Sequence, residues 1–202
     1  MTKIKICGLT SGEEAAYLNE AGADAAGFIQ FFPKSRRNIA TGEARRIMCL
    51  LAPSIRKAAV TVSPTPDQIR EIERAGFDYL QVHGDISDEL LRSVRIPVIR
   101  AFNGSTFSTW KHYMDFDNVA GLLFDAGVPG SGKTFDWSAL SGIDTGEKLK
   151  ILAGGLNPDN VCEAVRTVRP DYVDVSTGVE KDQGRGKSRE KILRFVSEAR
   201  RA

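Results

Sequence analysis

Cysteine and histidine are both scarce in this 202-residue chain, at three and two residues. Cys7, Cys49 and Cys162 are far apart, odd in number and show no C-x-x-C spacing. That pattern argues against a disulfide framework and a cysteine-based zinc site. With only His83 and His112, a multi-histidine metal centre is not expected either. Charge of one sign is also lacking, since 28 basic and 26 acidic residues leave a net charge of +2. The balance gives no pull toward nucleic acid, a membrane surface or a strongly charged macromolecule. No apolar run approaches the length of a membrane span. The chain enters a strand by Lys3, so no signal peptide is expected and a reducing, cytoplasmic setting follows. The dinucleotide fingerprint G-x-G-x-x-G is missing after the first strand, which counts against an open doubly wound sheet.

What is present is a repeat of strand, glycine-bearing or polar turn, and helix. Short apolar or alternating runs predict strands at 3–7, 25–30, 57–62, 79–83, 97–102, 119–125, 149–153 and 172–175. Helical spacing follows most of them. Thr10-Ser11 opens one helix that Ala21-Gly22 stops, and Pro64 and Pro66 open another that ends at Ala75-Gly76. The weakest helix lies over 103–114, where Gly104, Ser105, Thr106 and Thr109 are poor formers. Eight such units in series predict a single-domain (β/α)8 barrel over residues 1–202.

In a barrel of this type the site lies at the C-terminal ends of the strands. Alternation puts Lys3, Lys5 and Cys7 on one face of the first strand and Ile4 and Ile6 on the other. Polar residues end several other strands: Gln81 and His83 on the fourth, Arg100 on the fifth, Asp125 on the sixth, Asp174 and Ser176 on the eighth. Packing alone does not account for such a rim. Cys7 taken by itself is an ordinary buried small residue, and Lys5 and Arg100 are open to a reading as internal ion pairs.

Two loops are suited to an anion. Ala153-Gly154-Gly155-Leu156-Asn157-Pro158 follows the seventh strand, with Asn157 read as a helix N-cap and Pro158 as the first helical residue. Its glycines allow backbone N–H groups to approach a phosphate. Ser176-Thr177-Gly178 follows the eighth strand with hydroxyls and a glycine. Barrels with phosphorylated ligands use the loops at these two places. Residues 127–134 also match G-x-x-x-x-G-K-[ST] formally, but they follow the sixth strand of a series and run into Phe135-Asp136-Trp137, so a glycine-rich lid is the better reading.

The segments KICGLT, FPKSRR, LQVHG, LLFDA, GSGKTFDW, LAGGLNPDNV and DVSTGVE occur in this order along nearly the whole chain. Their combination resembles the phosphoribosylanthranilate isomerase family of tryptophan biosynthesis. The resemblance implies a barrel that works without metal or organic cofactor and carries out an Amadori rearrangement of N-(5'-phosphoribosyl)anthranilate. It implies Cys7 as general base and Asp125 as general acid. It implies that the arginine of the PKSxR motif, Arg37, meets the anthranilate carboxylate, with Arg36 beside it. Gly154, Gly155, Ser176, Thr177 and Gly178 would hold the phosphate, and His83 and Asp174 match positions at the site rim. A small phosphorylated molecule is then the partner, with neither nucleic acid nor membrane, and the protein is expected as a monomer or homodimer. Two other readings stand beside it: a related sugar-phosphate barrel isomerase (histidine-pathway or dual-function), and a barrel that binds a phosphorylated metabolite without turnover. Relatives of the first kind usually carry a carboxylate where this chain has Cys7.

Overall fold

A computed structural model describes residues 1–104, 106–125 and 137–202. Eight strands close in sequence order into one parallel barrel. They are β1 (Lys3–Cys7), β2 (Ala25–Ile29), β3 (Arg56–Val62), β4 (Tyr79–His83), β5 (Val98–Phe102), β6 (Val119–Asp125), β7 (Leu149–Ala153) and β8 (Tyr172–Val175). Each expected strand is present, with boundaries that differ by at most one residue.

The helices are α1 (Gly12–Ala21), α2 (Thr41–Met48), α3 (Pro66–Ala75), α4 (Asp88–Ser93), α5 (Ser138–Ser141), α6 (Val161–Val168) and α7 (Arg189–Arg200). Local chemistry sets their ends. Ser11 and Glu14 form a capping box on α1, and Thr65 and Gln68 form one on α3, with Pro66 at the first position. Gly22 and Gly76 end these helices in the left-handed region that glycine alone enters without strain. The doubtful segment after β5 is a 3-10 helix over Phe107–Asp115. Its start is poor in helix formers, and its aromatic residues hold it to the barrel: Phe107 packs on Phe124 and Tyr113 on Phe102, with ring centroids 5.3 and 5.4 Å apart.

Two apolar layers result from strand alternation. Ile4, Ile6, Phe28, Leu80, Val82, Phe102, Phe124 and Val173 point outward and pack with the helices. Ala25, Ile99, Ala101, Leu123, Ile151, Ala153 and Tyr172 fill the interior. Lys5, Gln81 and Asp174 are buried in the same interior, beside Ala25, Ala101 and Ala153.

Two features differ from the expectation from sequence. Arg100 lies between the inward residues Ile99 and Ala101, so it faces outward; it donates to the carbonyls of Val82 and Gly84 and to the Tyr113 hydroxyl, bracing the loop after β4. Helix α6 begins at Val161 with Asn160 at the cap. Asn157 instead closes a local turn by accepting from the Asp159 N–H at 2.8 Å, and Pro158 lies in that turn. The loop read as a lid, 126–134, lies outside the described residues.

Gly178 locks the loop after β8 onto the loop after β7, because a Cβ there would lie 2.0 Å from the Leu156 carbonyl oxygen. Gly42, in α2, has nothing within 4 Å of the same position. In urea melts Gly178→Ala is expected to cost about 3 kcal/mol through overpacking. Gly42→Ala is expected to gain about 0.5–1 kcal/mol from the lower entropy of the unfolded chain and better helix propensity. Equal effects at the two positions would refute the close-approach argument.

Candidate active site

Cys7 ends β1 facing inward and is 8 % exposed. Lys5 lies two residues below it on the same face and is 2 % exposed. The register pairs Lys5 with Asp174 on β8, and the ammonium donates to Asp174 Oδ2 at 2.7 Å. The Lys5 charge also acts on the Cys7 thiol. On the other side of β1, the register brings Cys7 opposite Gly27 of β2. A Cβ at Gly27 would lie 2.7 Å from Cys7 Sγ and 3.1 Å from Lys5 Nζ. Glycine at that position makes space for both groups.

The charges compete at the thiol. Burial pushes the Cys7 thiol above its ordinary pKa, Lys5 and Lys187 pull against that, and Asp174 adds to the rise. Burial also works against the Lys5 charge, but Asp174 and Cys7 outweigh it and hold the ammonium above its usual range. His83 ends β4, where Gln81 Nε2 and His83 Nε2 lie 2.9 Å apart. Burial, followed by the positive charges of Lys5 and Arg100, lowers the imidazole to about 4. The ring is therefore neutral at physiological pH.

Above the thiol, Gly8 adopts φ +81°, and a Cβ there would lie 2.5 Å from Arg37 Cδ. Arg37 thus crosses the chain immediately after Cys7. Its NH2 group donates to Thr177 Oγ1 at 3.0 Å, and its Nε pairs with Glu180. Arg36 also pairs with Glu180, but its side chain is 54 % exposed against 20 % for Arg37. Phe31, two residues after β2, adopts φ +57° in the loop that leads to the two arginines.

The two anion loops meet through Gly178, as described. Gly154 and Gly155 have φ values of +91° and +66°. Ser176 Oγ donates to the Cys7 carbonyl at 3.0 Å. Thr177–Val179 form a single 3-10 turn closed by the N–H groups of Val179 and Glu180, so the first N–H groups of the turn have no bond within it.

The structure therefore gathers Cys7, Arg37, Asp174, Ser176, Thr177 and Gly178 around the β1–β8 side of the mouth. His83 and Asp125 end β4 and β6 farther round the same rim. Asp125 is partly buried, and its backbone pairs with Ala153, next to Gly154. Sequence reasoning missed Glu14, Glu180 and Lys187, all of which are buried. Lys187 donates to Ser176 O at 3.1 Å, and its backbone N–H donates to Glu14 Oε1 at 2.7 Å. Among the described residues, no three His, Cys, Asp or Glu side chains are placed to hold a metal ion. No helix of the described residues is long and apolar enough to cross a membrane.

Residues 4–198 match the family model described as N-(5'phosphoribosyl)anthranilate (PRA) isomerase. An N-(5'-phosphoribosyl)anthranilate isomerase of Trichlorobacter lovleyi is 39% identical over 208 residues, covering 100% of both chains. The crystal structure of phosphoribosyl anthranilate isomerase from Thermotoga maritima superposes with a TM-score of 0.88 at 38% identity, again over 100% of both chains. A phosphoribosyl anthranilate isomerase in complex with reduced 1-(o-carboxyphenylamino)-1-deoxyribulose 5-phosphate superposes with a TM-score of 0.85 at 36% identity.

The neutral state of His83 has a consequence for stability. In the unfolded chain the imidazole takes up its proton near 6.5, whereas the folded ring stays neutral down to about 4. The unfolded state binds more protons between those values, so the folded state loses stability as pH falls from 6.5 toward 4. Thermal melts across that window are expected to show a smaller acid loss for His83→Gln than for the unmodified protein. Equal losses would contradict the buried, neutral assignment.

Proposed function

The chain belongs to the N-(5'-phosphoribosyl)anthranilate isomerase family, and from that membership we propose the roles of its residues in the reaction. The protein is an isomerase that converts N-(5'-phosphoribosyl)anthranilate to 1-(2-carboxyphenylamino)-1-deoxyribulose 5-phosphate. Cys7 is the base and Asp125 the acid. The observation that carries the first assignment is the Cys7 thiol at the inner end of β1 with the Lys5 ammonium directly below it.

The chemistry follows in three steps. Asp125 protonates the furanose ring oxygen, the C1'–O bond breaks, and the anilino nitrogen lone pair forms the C=N bond of a Schiff base. The Cys7 thiolate then takes the proton from C2', giving an enolamine. A proton added at C1' and the loss of the C2' hydroxyl proton then give the ketone, so the change is an internal transfer with no net oxidant or reductant. The thiol is raised by burial, so the thiolate is the minor form at neutral pH, and Lys5 is the group that stabilises it.

The ligand carries negative charge at both ends, and the loops complement this. Gly154, Gly155, Ser176, Thr177 and Gly178 bind the phosphate through backbone N–H groups and hydroxyls. Arg37 binds the anthranilate carboxylate, since a planar guanidinium matches a carboxylate in a two-point contact. Asp174 acts through Lys5, and the neutral His83 lines the rim. One barrel unit in the cytoplasm, as a monomer or homodimer, suffices for this activity.

Purified protein is expected to consume the substrate, followed as loss of anthranilate fluorescence, with chelator present. Cys7→Ala and Asp125→Asn are each expected to lose at least about a hundredfold in kcat while still binding a product analogue. Arg37→Ala is expected to raise KM more than Arg36→Ala. Near-normal turnover in the Cys7 or Asp125 variant would sink that residue's role, and the opposite KM order would exchange the arginines.

A further inference from the structure

We propose that Lys187 is a positioning residue for the Cys7 thiol. Its buried ammonium fixes Ser176, and through Ser176 the backbone of Cys7, while keeping a positive charge on the thiol's side of the mouth. The proposal rests on the reading of Cys7 as the base.

Lys187 lies in the run Gly184-Arg185-Gly186-Lys187 after β8, and its side chain is 1 % exposed. The ammonium donates to Ser176 O at 3.1 Å, to Ser176 Oγ at 3.3 Å and to Glu180 Oε1 at 3.5 Å. Ser176 Oγ in turn donates to the carbonyl of Cys7 at 3.0 Å. The chain of contacts is thus ammonium to hydroxyl to the backbone of Cys7. The backbone of Lys187 is tied to the same place. Its N–H donates to Glu14 Oε1, while Glu14 Oε2 accepts from the N–H groups of Thr10 and Ser11 in the loop that follows Cys7. Gly186, at φ +94°, is needed for this approach, because a Cβ there would lie 3.0 Å from Glu14 Oε1.

Neutralising Glu180 does not explain the lysine. Glu180 already pairs with Arg36 and Arg37, and its contact with Lys187 is the longest of the three the ammonium makes. The two shorter contacts both go to Ser176. The charged groups acting on the thiol are Lys5, Asp174 and Lys187, and those around Lys187 are Cys7, Glu180, Arg37 and Glu14. A buried ammonium is costly without partners. This one is placed where its charge reaches the thiol and its hydrogen bonds set the thiol's backbone.

The test uses the full-length protein with Cys49→Ser and Cys162→Ser, which leaves Cys7 as its one thiol. Iodoacetamide alkylation is followed against pH, together with kcat and KM. Lys187→Met is expected to move the alkylation midpoint to higher pH and to lower kcat about tenfold with a smaller change in KM. Lys187→Arg, which keeps the charge, is expected to stay near the parent midpoint. A folded Lys187→Met protein that alkylates with the parent midpoint overturns the proposal. Lys187→Gln replaces the Met variant if that one does not fold. If neither neutral variant folds while the Arg variant does, the lysine is structural only and the proposal fails. Undiminished turnover in Cys7→Ala would instead overturn the base assignment, so the two failures are separable.

Discussion

The Lys5–Asp174 ion pair inside the barrel is the constraint on which the site depends. Neither side chain is more than 6% exposed, and burying two charges is costly unless each is well paired. Here the pairing comes from the sheet itself, because Lys5 and Asp174 are register partners on neighbouring parallel strands. Gly27 on the opposite flank leaves the volume that the lysine and the thiol occupy. Removing one partner would strand the other in a dry interior, while removing both leaves only a volume to fill. The pair therefore holds a cation beneath Cys7 at a position that the backbone hydrogen bonds fix.

The rest of the mouth is asymmetric in a way that suits a two-ended anion. The β5–β7 side is lined by Ile99, Ala101, Leu123, Ile151 and Ala153. The β8–β1–β2 side carries Lys5, Lys187, Arg36 and Arg37 with Asp174, Glu14 and Glu180 among them. The carboxylates join loops from different strands: Glu180 joins the β2 and β8 loops, and Glu14 joins the β1 and β8 loops. Burial raises the Glu180 carboxyl, yet Arg37, Lys187 and Arg36 hold it below its ordinary value. This network keeps Arg37 against the Gly8 turn without a helix or strand to carry it.

Much of this architecture is legible in the sequence. Eight short apolar runs, each closed by a turn signal and a helix, describe a barrel because every unit obeys the same local chemistry. The face assignment of Lys5 and Cys7 followed from two-residue alternation on β1. Arg100 was misread for a physical reason: strands buried on both faces are apolar on both faces, so its neighbours Ile99 and Ala101 did not reveal which side it was on. The start of α6 was misplaced because Asn157 and Pro158 also suit the turn that precedes the helix. Lys187 carried no local sign of burial. It sits in a polar glycine-rich run, and its partners Glu14 and Ser176 are brought to it only by barrel closure.

The proposed role of Cys7 as the base depends on the internal ion pair beneath it. The direct measurement is the pH titration of the Cys7 thiol, together with turnover, in the double variant Lys5→Met/Asp174→Leu. Both charges are removed at once, so no unpaired ion is left to unfold the barrel. Lys5 pulls the thiol down more strongly than Asp174 pushes it up. The account predicts that the folded double variant titrates at higher pH than the parent and loses most turnover. An unchanged thiol titration with near-parent turnover would contradict it.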